Sequence, residues 1–349
     1  MRRVRIVIAV LATVATSAVT PAFAQTLTFN VFERYINSYR EQFGIPGLSW
    51  VVIQGGETKE GGSGKQDAEA NVAATPDTPY FIGNLSQIFG STLLLEKCYD
   101  EDTLALRDHV TRWVPTYPEP ATTVGQLLTH QSPAGAYAYD PGRFSALTAV
   151  VEECADLPYR HVLANEVFDR LAMTRSVPGR ALDGVLYPGG ASFSPAELAR
   201  YNAVLGQMAR HYRIDRGLPV RTSVPVLPAD ASTGTITTAL DLAKFDQALR
   251  IPGLLSRDAL TVAWTQAGGQ SPMPTGLGWF VQNYNNEPLV WQFDFTRDVS
   301  SALIVKLPAR DLTFIVLANS DGLTRTSGLA AGDALTSPFV KLFLLFFAP

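Results

Sequence analysis

Strand-like segments lie at both ends of this chain, and a long helix-like middle separates them. Toward the N-terminal end, an apolar run over 48–53 is followed by a Gly-Gly turn and a second extended stretch that ends at Gly64. Extended patterns return toward the C-terminal end over 278–283, 289–295, 299–307 and 312–318. The sequence therefore predicts an α+β fold of the α/β sandwich type, in which one antiparallel sheet is built from both termini around an inserted helical lobe.

Apolar residues at helical spacing predict where the helices of this fold lie. A last apolar segment over 338–347 is too short to span a membrane, and we expect it to form a helix packed on the sheet. A first helix is expected before the strands, over 28–43. Further helices are expected in the middle of the chain, over 143–154, 160–173, 195–210 and 238–249.

The first 24 residues differ in character from the rest of the chain. Three arginines precede a short apolar run, and the segment ends in Ala22-Phe23-Ala24. A basic start, a short apolar segment and an Ala-x-Ala end are typical of a secretory signal peptide. We therefore expect residues 1–24 to be a signal peptide and the protein to be exported, periplasmic or secreted, with no transmembrane segment after cleavage.

The remaining residues, 25–349, are expected to form a single domain. Neither an internal repeat nor a low-complexity linker interrupts them. The predicted sheet lobe takes about 25–80 and 250–349, and the helical lobe takes about 81–249.

Composition excludes several classes of protein. A hydrophobic fraction of 46% with only 17% charged residues is unlike a disordered chain, which has too little apolar matter to bury. A net charge of −4 argues against a nucleic-acid partner, which selects for basic surfaces. Two Cys and four His cannot build a zinc ribbon, and His109, His161 and His211 show no ligand spacing. We expect no metal and no cofactor.

The two cysteines, Cys98 and Cys154, each follow an apolar residue at helical spacing. This pattern favours buried free thiols that pack as small hydrophobic side chains. A bridge between them is the alternative in an exported protein. If it formed, it would stabilise the fold by roughly 4 kcal/mol by closing a long loop.

Eight short segments together resemble a known family. They occur in its order and span most of residues 30–347, at 45–49, 78–83, 123–130, 171–176, 232–234, 237–245, 276–279 and 316–319. They are similar to segments of the serine β-lactamase and penicillin-binding-protein-like family, in particular its class C β-lactamase and carboxylesterase branch. The resemblance implies a β-lactamase/transpeptidase-like fold and a serine hydrolase ancestry.

The family's nucleophile motif is altered in this chain. Its members carry a serine and, three residues later, a lysine at the start of a helix, so that the amine takes the hydroxyl proton. Alignment on Ile82-Gly83 places Asn84 at the serine position and Gln87 at the lysine position. An amide cannot become an alkoxide, and a neutral amide is no base at pH 7. The chain contains no other Ser-x-x-Lys.

Two further family motifs are also altered. The resemblance places Tyr139 at the proton-shuttling tyrosine, but Pro141 replaces the asparagine of Tyr-x-Asn. On the strand beside the site, Gln292 and Asp294 replace the cation and the glycine of Lys/His-x-Gly. A carboxylate then stands where the family lets substrate approach the backbone.

Ser86 is the one candidate for a relocated nucleophile near these positions. It lies two residues beyond Asn84, and on a helix two residues turn the side chain by roughly 200°. No base stands at helical spacing from it, so a supporting role is favoured.

Three functions follow as hypotheses. The first is a catalytically inactive protein that binds a peptidoglycan-derived fragment or a small ester or amide in the residual cleft. The second is an active serine hydrolase of esterase, β-lactamase or D-aminopeptidase type with a rearranged site around Ser86. The third is a structural or interaction protein whose cleft is filled by Asp294 and neighbouring aromatic side chains.

Overall fold

The computed structural model describes residues 21–182, 192–251, 253–268 and 273–349, with side chains from Thr28 onward. Residues 1–20 of the predicted signal peptide lie outside the described part of the chain. Every statement below concerns the described residues.

The central element is a seven-stranded antiparallel sheet. The strands of the described residues are β1 (Gly47–Gln54), β2 (Glu57–Asp67), β3 (Val72–Ala73), β4 (Tyr80–Phe81), β5 (His211–Asp215), β6 (Leu218–Thr222), β7 (Ile236–Thr237), β8 (Phe280–Tyr284), β9 (Glu287–Thr296), β10 (Ser300–Leu307) and β11 (Leu312–Ala318). The order in the central sheet is β3-β2-β1-β11-β10-β9-β8. The N-terminal strand β1 pairs with β11 near the C-terminus, with Trp50 opposite Val316. The predicted sheet built from both termini is therefore confirmed.

Both faces of the sheet are covered. Side chains alternate between the faces along a strand, so Leu303 and Val305 of β10 pack on one face and Ala302 and Ile304 on the other. Helices α1 (Pro21–Gln42) and α10 (Pro338–Phe347) pack with Leu303 and Val305, and the helical lobe covers the opposite face. The predicted packing of the last apolar segment is confirmed.

The helical lobe is made of short helices. The range 143–154, predicted as one helix, is divided between α4 (Pro141–Phe144) and α5 (Leu147–Ala155). The range 160–173 begins as the short α6 (Tyr159–Val162) and continues as a π-helical segment, Leu163–Asp169. The α-helices that follow α1 are α2 (Gln87–Leu94), α3 (Val124–Leu128), α4 (Pro141–Phe144), α5 (Leu147–Ala155), α6 (Tyr159–Val162), α7 (Pro195–Gly206), α8 (Ala239–Ala248) and α9 (Arg257–Ala263). A second π-helical segment takes Leu95–Tyr99, and 3-10 turns take Gly83–Ser86, Val110–Arg112, Pro308–Arg310, Asp321–Leu323, Leu329–Ala331 and Ala334–Thr336.

Cys98 and Cys154 form a disulfide bond across 56 residues of sequence, with their Cα atoms 5.7 Å apart. The expectation of free thiols is therefore wrong. Each cysteine does follow the apolar pattern of its helix, and Cys98 is fully buried. What that pattern does not reveal is that the Leu95–Tyr99 segment and α5 pack with these two positions facing each other.

None of the described helices combines the length and the apolar character that a membrane crossing requires.

Candidate functional site

The family's nucleophile segment lies at one end of strands β9 and β10. The 3-10 turn Gly83–Ser86 leads directly into α2. Gly83 has a φ of +44°, and a Cβ at this position would overlap the Asp294 carboxylate. A glycine is required here because the backbone has a left-handed conformation and passes against β9.

Asn84 occupies the first position after this glycine, where the family carries its serine. Its side chain is partly exposed and makes no hydrogen bond with any described residue. Its backbone N–H, in contrast, donates to Oδ1 of Asp294 at 2.9 Å. The structure thus brings Asn84 and Asp294 together through a contact that runs from backbone to carboxylate.

Asp294 is fully buried and accepts three hydrogen bonds. Besides the Asn84 N–H, the Thr296 hydroxyl donates to Oδ1 and the Ser300 hydroxyl donates to Oδ2, each at 2.9 Å. No described cation pairs with it. Burial raises the pKa of Asp294 from 3.8 to about 7, although the hydrogen bonds from Asn84, Ser300 and Thr296 act in the opposite direction. The carboxylate is therefore held by neutral donors only.

Gln87 and Gln292 occupy the two positions where the family carries cations, and both are fully buried. Nε2 of Gln292 donates to Oε1 of Gln87 at 3.2 Å and to the carbonyl oxygen of Gly278 at 3.1 Å. Nε2 of Gln87 is buried without a partner among the described residues. Two neutral amides thus bond to each other at the two positions where the family carries cations.

His130 completes this network. Its Nε2 lies 3.1 Å from Oε1 of Gln87, which assigns the proton to Nε2 because the amide oxygen only accepts. Burial lowers the pKa of His130 to about 4, so the imidazole is neutral at pH 7. The histidine therefore brings no charge to the site.

Tyr139 reaches the site through ring contacts. Its ring stacks on Phe293 at 5.6 Å and lies 4.7 Å from the His130 ring. The hydroxyl is buried and has no hydrogen-bond partner among the described residues, and burial raises its pKa above the usual range. Pro141 is the first residue of α4, which Asp140 caps through the Gly142 N–H. Neither Tyr139 nor Pro141 makes a hydrogen bond to Asn84 or Gln87.

Ser86 is fully buried, and its Oγ accepts a hydrogen bond from the Thr235 N–H at 3.3 Å. No histidine, lysine or carboxylate of the described residues bonds to it. This is the environment of a serine that supports the β4–β7 region rather than of an activated nucleophile.

Three participants of this site are not among the candidate residues that the sequence predicts. His130 lies at the end of the family segment 123–130, and Thr296 and Ser300 lie in none of the altered motifs. Thr296 was accessible to sequence reasoning, because residues two apart on a strand share a face with Asp294. Ser300 required the β9–β10 register, which pairs it with Thr296.

A groove of about 430 Å³ lies elsewhere. It is lined by Leu106 and by residues of α3, α9 and the segment before β8, among them Gln126, Val262 and Leu277. Asn84, Gln87, Gln292 and Asp294 are not among its lining residues.

Comparisons with known proteins agree with this architecture. A family model described as Beta-lactamase matches residues 32–336. Penicillin-binding protein 4 of Amycolatopsis lactamdurans is 29% identical over 133 residues, which is 36% of this chain and 34% of that protein. The chain thus matches about a third of the length of that relative.

Solved structures show the same fold. The octameric penicillin-binding protein homologue from Pyrococcus abyssi superposes with a TM-score of 0.69 at 20% identity, over 84% of this chain and 74% of that one. The β-lactamase from Sulfitobacter sp. EE-36 gives a TM-score of 0.69 at 16% identity, over 92% and 96%. Identities this low establish the fold alone. From the family match over most of its length, this chain belongs to the beta-lactamase family.

Proposed function

We propose that this protein is an exported, non-catalytic member of its family, in which the chain's own side chains close the catalytic position. The observation that carries the proposal is the hydrogen bond from the Asn84 N–H to the Asp294 carboxylate. The fold is retained for a role that requires no acyl transfer.

The reason lies in how serine acyl-transfer enzymes stabilise their transition states. The oxyanion hole consists of backbone N–H groups, which commonly include that of the nucleophile itself. Here the N–H at the nucleophile position is already bonded to a buried carboxylate. A substrate carbonyl would have to displace Asp294, and the developing oxyanion would face a second negative charge wherever Asp294 is ionised.

The proton-transfer groups are missing as well. Gln87 and Gln292 are neutral at every pH of interest, and His130, with a pKa of about 4, is bonded to Gln87. A general base has to lie within hydrogen-bond reach of the nucleophile and titrate near the working pH. Asp294 lies within reach and has a pKa of about 7, but it contacts the backbone N–H of Asn84, and position 84 offers no hydroxyl for it to deprotonate.

Export is part of the same proposal. Disulfides persist in oxidising compartments and are rare in the cytosol of most organisms. The Cys98–Cys154 bond therefore supports the signal peptide proposed for residues 1–24. Expression with and without those residues, followed by N-terminal sequencing of protein recovered outside the cytosol, tests cleavage after Ala24.

Covalent labelling tests the loss of catalysis. Purified protein is incubated with a fluorescent penicillin and, separately, with a fluorophosphonate, and its mass is measured. We expect no adduct on the folded protein, while a serine β-lactamase run in parallel is labelled. An adduct that forms on the folded chain at a defined serine would overturn the proposal.

The same assay distinguishes the non-catalytic protein from an active enzyme with a rearranged site. If adduct or hydrolysis of a short-chain nitrophenyl ester appears and is lost in Ser86→Ala, the alternative of an esterase, β-lactamase or D-aminopeptidase using Ser86 is correct. We expect no such activity, because Ser86 is buried and bonded to the Thr235 N–H.

A ligand in the residual cleft is a second candidate function. The partly exposed Asn84 side chain, with no described hydrogen-bond partner, favours it, because an amide both donates and accepts. A peptidoglycan-derived peptide or a small ester or amide would fit that chemistry. Calorimetric titration with a D-alanyl-D-alanine peptide tests it, and Asn84→Ala should abolish any heat of binding that the parent shows.

A further inference from the structure

A separate pocket of about 170 Å³ lies beside the β5–β6 hairpin. Its lining includes three arginines, Arg180, Arg210 and Arg221, together with His211 and Ser223. None of the described residues that line it is acidic. We call it the hairpin pocket. The chain as a whole carries a net charge of −4, so this concentration of positive charge is local.

The charges of the hairpin pocket are only weakly compensated. Nε of Arg210 lies 3.5 Å from Asp67, and Nη1 of Arg221 lies 2.8 Å from Glu69, and both pairs reach solvent. Exposed ion pairs of this kind contribute little net free energy, because solvent screens them. Both guanidinium groups therefore remain available to a ligand.

Arg180 is partly buried, and no described carboxylate pairs with it. Its Nη1 donates to the carbonyl oxygen of Val224, which orients the guanidinium but leaves its charge uncompensated. A guanidinium has five N–H donors, so most of them remain for another acceptor.

His211 lies beside these arginines with an unused polar atom. The residue is 3% exposed, and its Nε2 is buried without a hydrogen-bond partner among the described residues. Burial, together with the charges of Arg180 and Arg210, lowers the pKa of His211 to about 3. The ring is thus neutral at pH 7 and offers one N–H donor without adding charge. A buried polar atom without a partner is destabilising, and buried polar groups usually have a hydrogen-bond partner.

We propose that the hairpin pocket binds a tetrahedral oxyanion, the phosphate group of a small ligand, through Arg180, Arg210 and Arg221 with His211 as a neutral donor. Planar guanidinium forks match the oxygen spacing of phosphate. One arginine satisfies a carboxylate with two parallel bonds, whereas three arginines match the greater charge and the three terminal oxygens of a phosphate monoester.

The volume of the pocket limits what else enters it. A water molecule occupies about 30 Å³ of liquid, so 170 Å³ holds about six waters. A phosphate group together with one or two waters therefore fits this space.

The test follows the His211 ring by NMR in full-length mature protein with isotope-labelled histidine. The ring signal is assigned from the loss of one signal in His211→Gln, and inorganic phosphate, sulfate and acetate are titrated at pH 7 and constant ionic strength. We expect a saturable shift of the His211 signal with phosphate and with sulfate, and none with acetate over the same range.

Variants connect the shift to the pocket. Arg180→Gln should weaken phosphate binding at least about tenfold, the effect of losing one charge-assisted contact. Arg221→Gln, at an exposed position, should weaken it as well. Arg213→Gln is the matched control, because Arg213 lies on the same hairpin, is about half exposed and does not line the pocket. It should change the affinity less than about twofold.

Three outcomes overturn the proposal. The first is the absence of a saturable shift up to about 10 mM phosphate, an affinity too weak for a specific site. The second is acetate binding as tightly as phosphate, which makes the pocket a carboxylate site. The third is equal weakening by Arg213→Gln and Arg221→Gln, which makes the binding a general attraction to the basic hairpin.

Discussion

Two aspartates, Asp246 and Asp294, are fully buried on the same face of the central sheet, yet their surroundings are opposite. Asp246 of α8 accepts from Lys306 Nζ at 2.6 Å and from Arg250 Nη2 at 3.0 Å. Burial alone would raise the pKa of Asp246, but the charges of Lys306 and Arg250 outweigh it and hold the pKa below its usual range. Asp294 has only neutral donors, and its pKa rises to about 7.

The strand register explains why the two sites share a face. Ala302 of β10 lies opposite Asp294, and Ile304 lies opposite Gln292. Lys306 follows two residues later on the same face, toward the helical lobe. A buried cation is thus present on this face, but it is committed to Asp246 and to the ring of Trp264, 4.2 Å from its Nζ.

The difference between Asp246 and Asp294 shows how the loss of nearby cations changes the position that Asp294 occupies. A buried carboxylate beside a cation is a charged structural pair, whereas one beside hydroxyl and backbone donors is close to the boundary between its charged and neutral forms. With Gln87 and Gln292 in place of amines, the end of the sheet at Asn84 holds no described cation to fix that choice.

Breaking the charged pair should have the largest effect. Asp246→Asn leaves the buried Lys306 without its counter-charge and should lower the free energy of unfolding by about 3–5 kcal/mol. Chemical denaturation followed by circular dichroism measures it. Asp215→Asn, which removes an exposed partner 3.9 Å from Arg213, is the control and should cost less than about 1 kcal/mol. Equal losses would mean that the buried pair is no stronger than a surface pair.

Neutralising the other aspartate should give an effect that depends on pH. Asp294 has a pKa of about 7 in the folded state and near 3.8 when unfolded. Between these values the unfolded chain has lost a proton that the folded chain keeps, so wild-type stability falls as the pH rises. The Asp294→Asn variant has no carboxyl at this position and does not lose stability in this way. The stability of the variant relative to wild type should therefore increase from pH 4 to pH 8, by up to about 4 kcal/mol.

Denaturation curves at several pH values measure that difference. Variants have to be compared with wild type because two buried histidines act on stability in the opposite direction. His130 and His211 have pKa values lowered to about 4 and 3, so the stability that their neutral forms contribute is lost as the pH falls below 6.5. Asp246 itself stays ionised over most of this range, so any pH dependence of the Asp246→Asn deficit comes from Lys306, whose pKa burial lowers and Asp246 raises. A stability difference between Asp294→Asn and wild type that does not change with pH would contradict the raised pKa of Asp294.

Removing the Ser86 hydroxyl should have a small effect. Ser86→Ala leaves the Thr235 N–H without its acceptor and should cost about 1 kcal/mol in thermal or chemical denaturation. It should change no hydrolytic rate. If the parent hydrolyses the ester and Ser86→Ala loses that activity while it remains folded, Ser86 has a chemical role.

Restoring the two family residues should have the smallest effect. The double variant Asn84→Ser with Gln87→Lys should show no turnover of a chromogenic cephalosporin or a nitrophenyl ester above that of the parent. Asp294 still occupies the backbone N–H, and Pro141 and Gln292 are unchanged. Substantial turnover from this double variant would show that Asp294 does not block the site.

Much of the fold could be predicted from local pattern. The strands at both ends of the chain, and the helix before them, follow from hydrophobic periodicity within short stretches of sequence. The loss of the serine and the lysine follows from residue type alone. The cysteines show the limit of this reasoning. Apolar spacing placed Cys98 in the core, but a bridge depends on how two segments 56 residues apart pack, which no local pattern contains.

The sequence by itself determined the sheet built from both termini, the family segments and the absence of a nucleophile and base at positions 84 and 87. These depend on side-chain chemistry and on periodicities that a short stretch carries. Only the tertiary structure decided what replaces the lost chemistry. The partner of the Asn84 N–H lies 210 residues along the chain, and the arginines of the hairpin pocket come from two separate segments. Such contacts depend on strand register and on burial, which together set whether a carboxylate or an imidazole is charged.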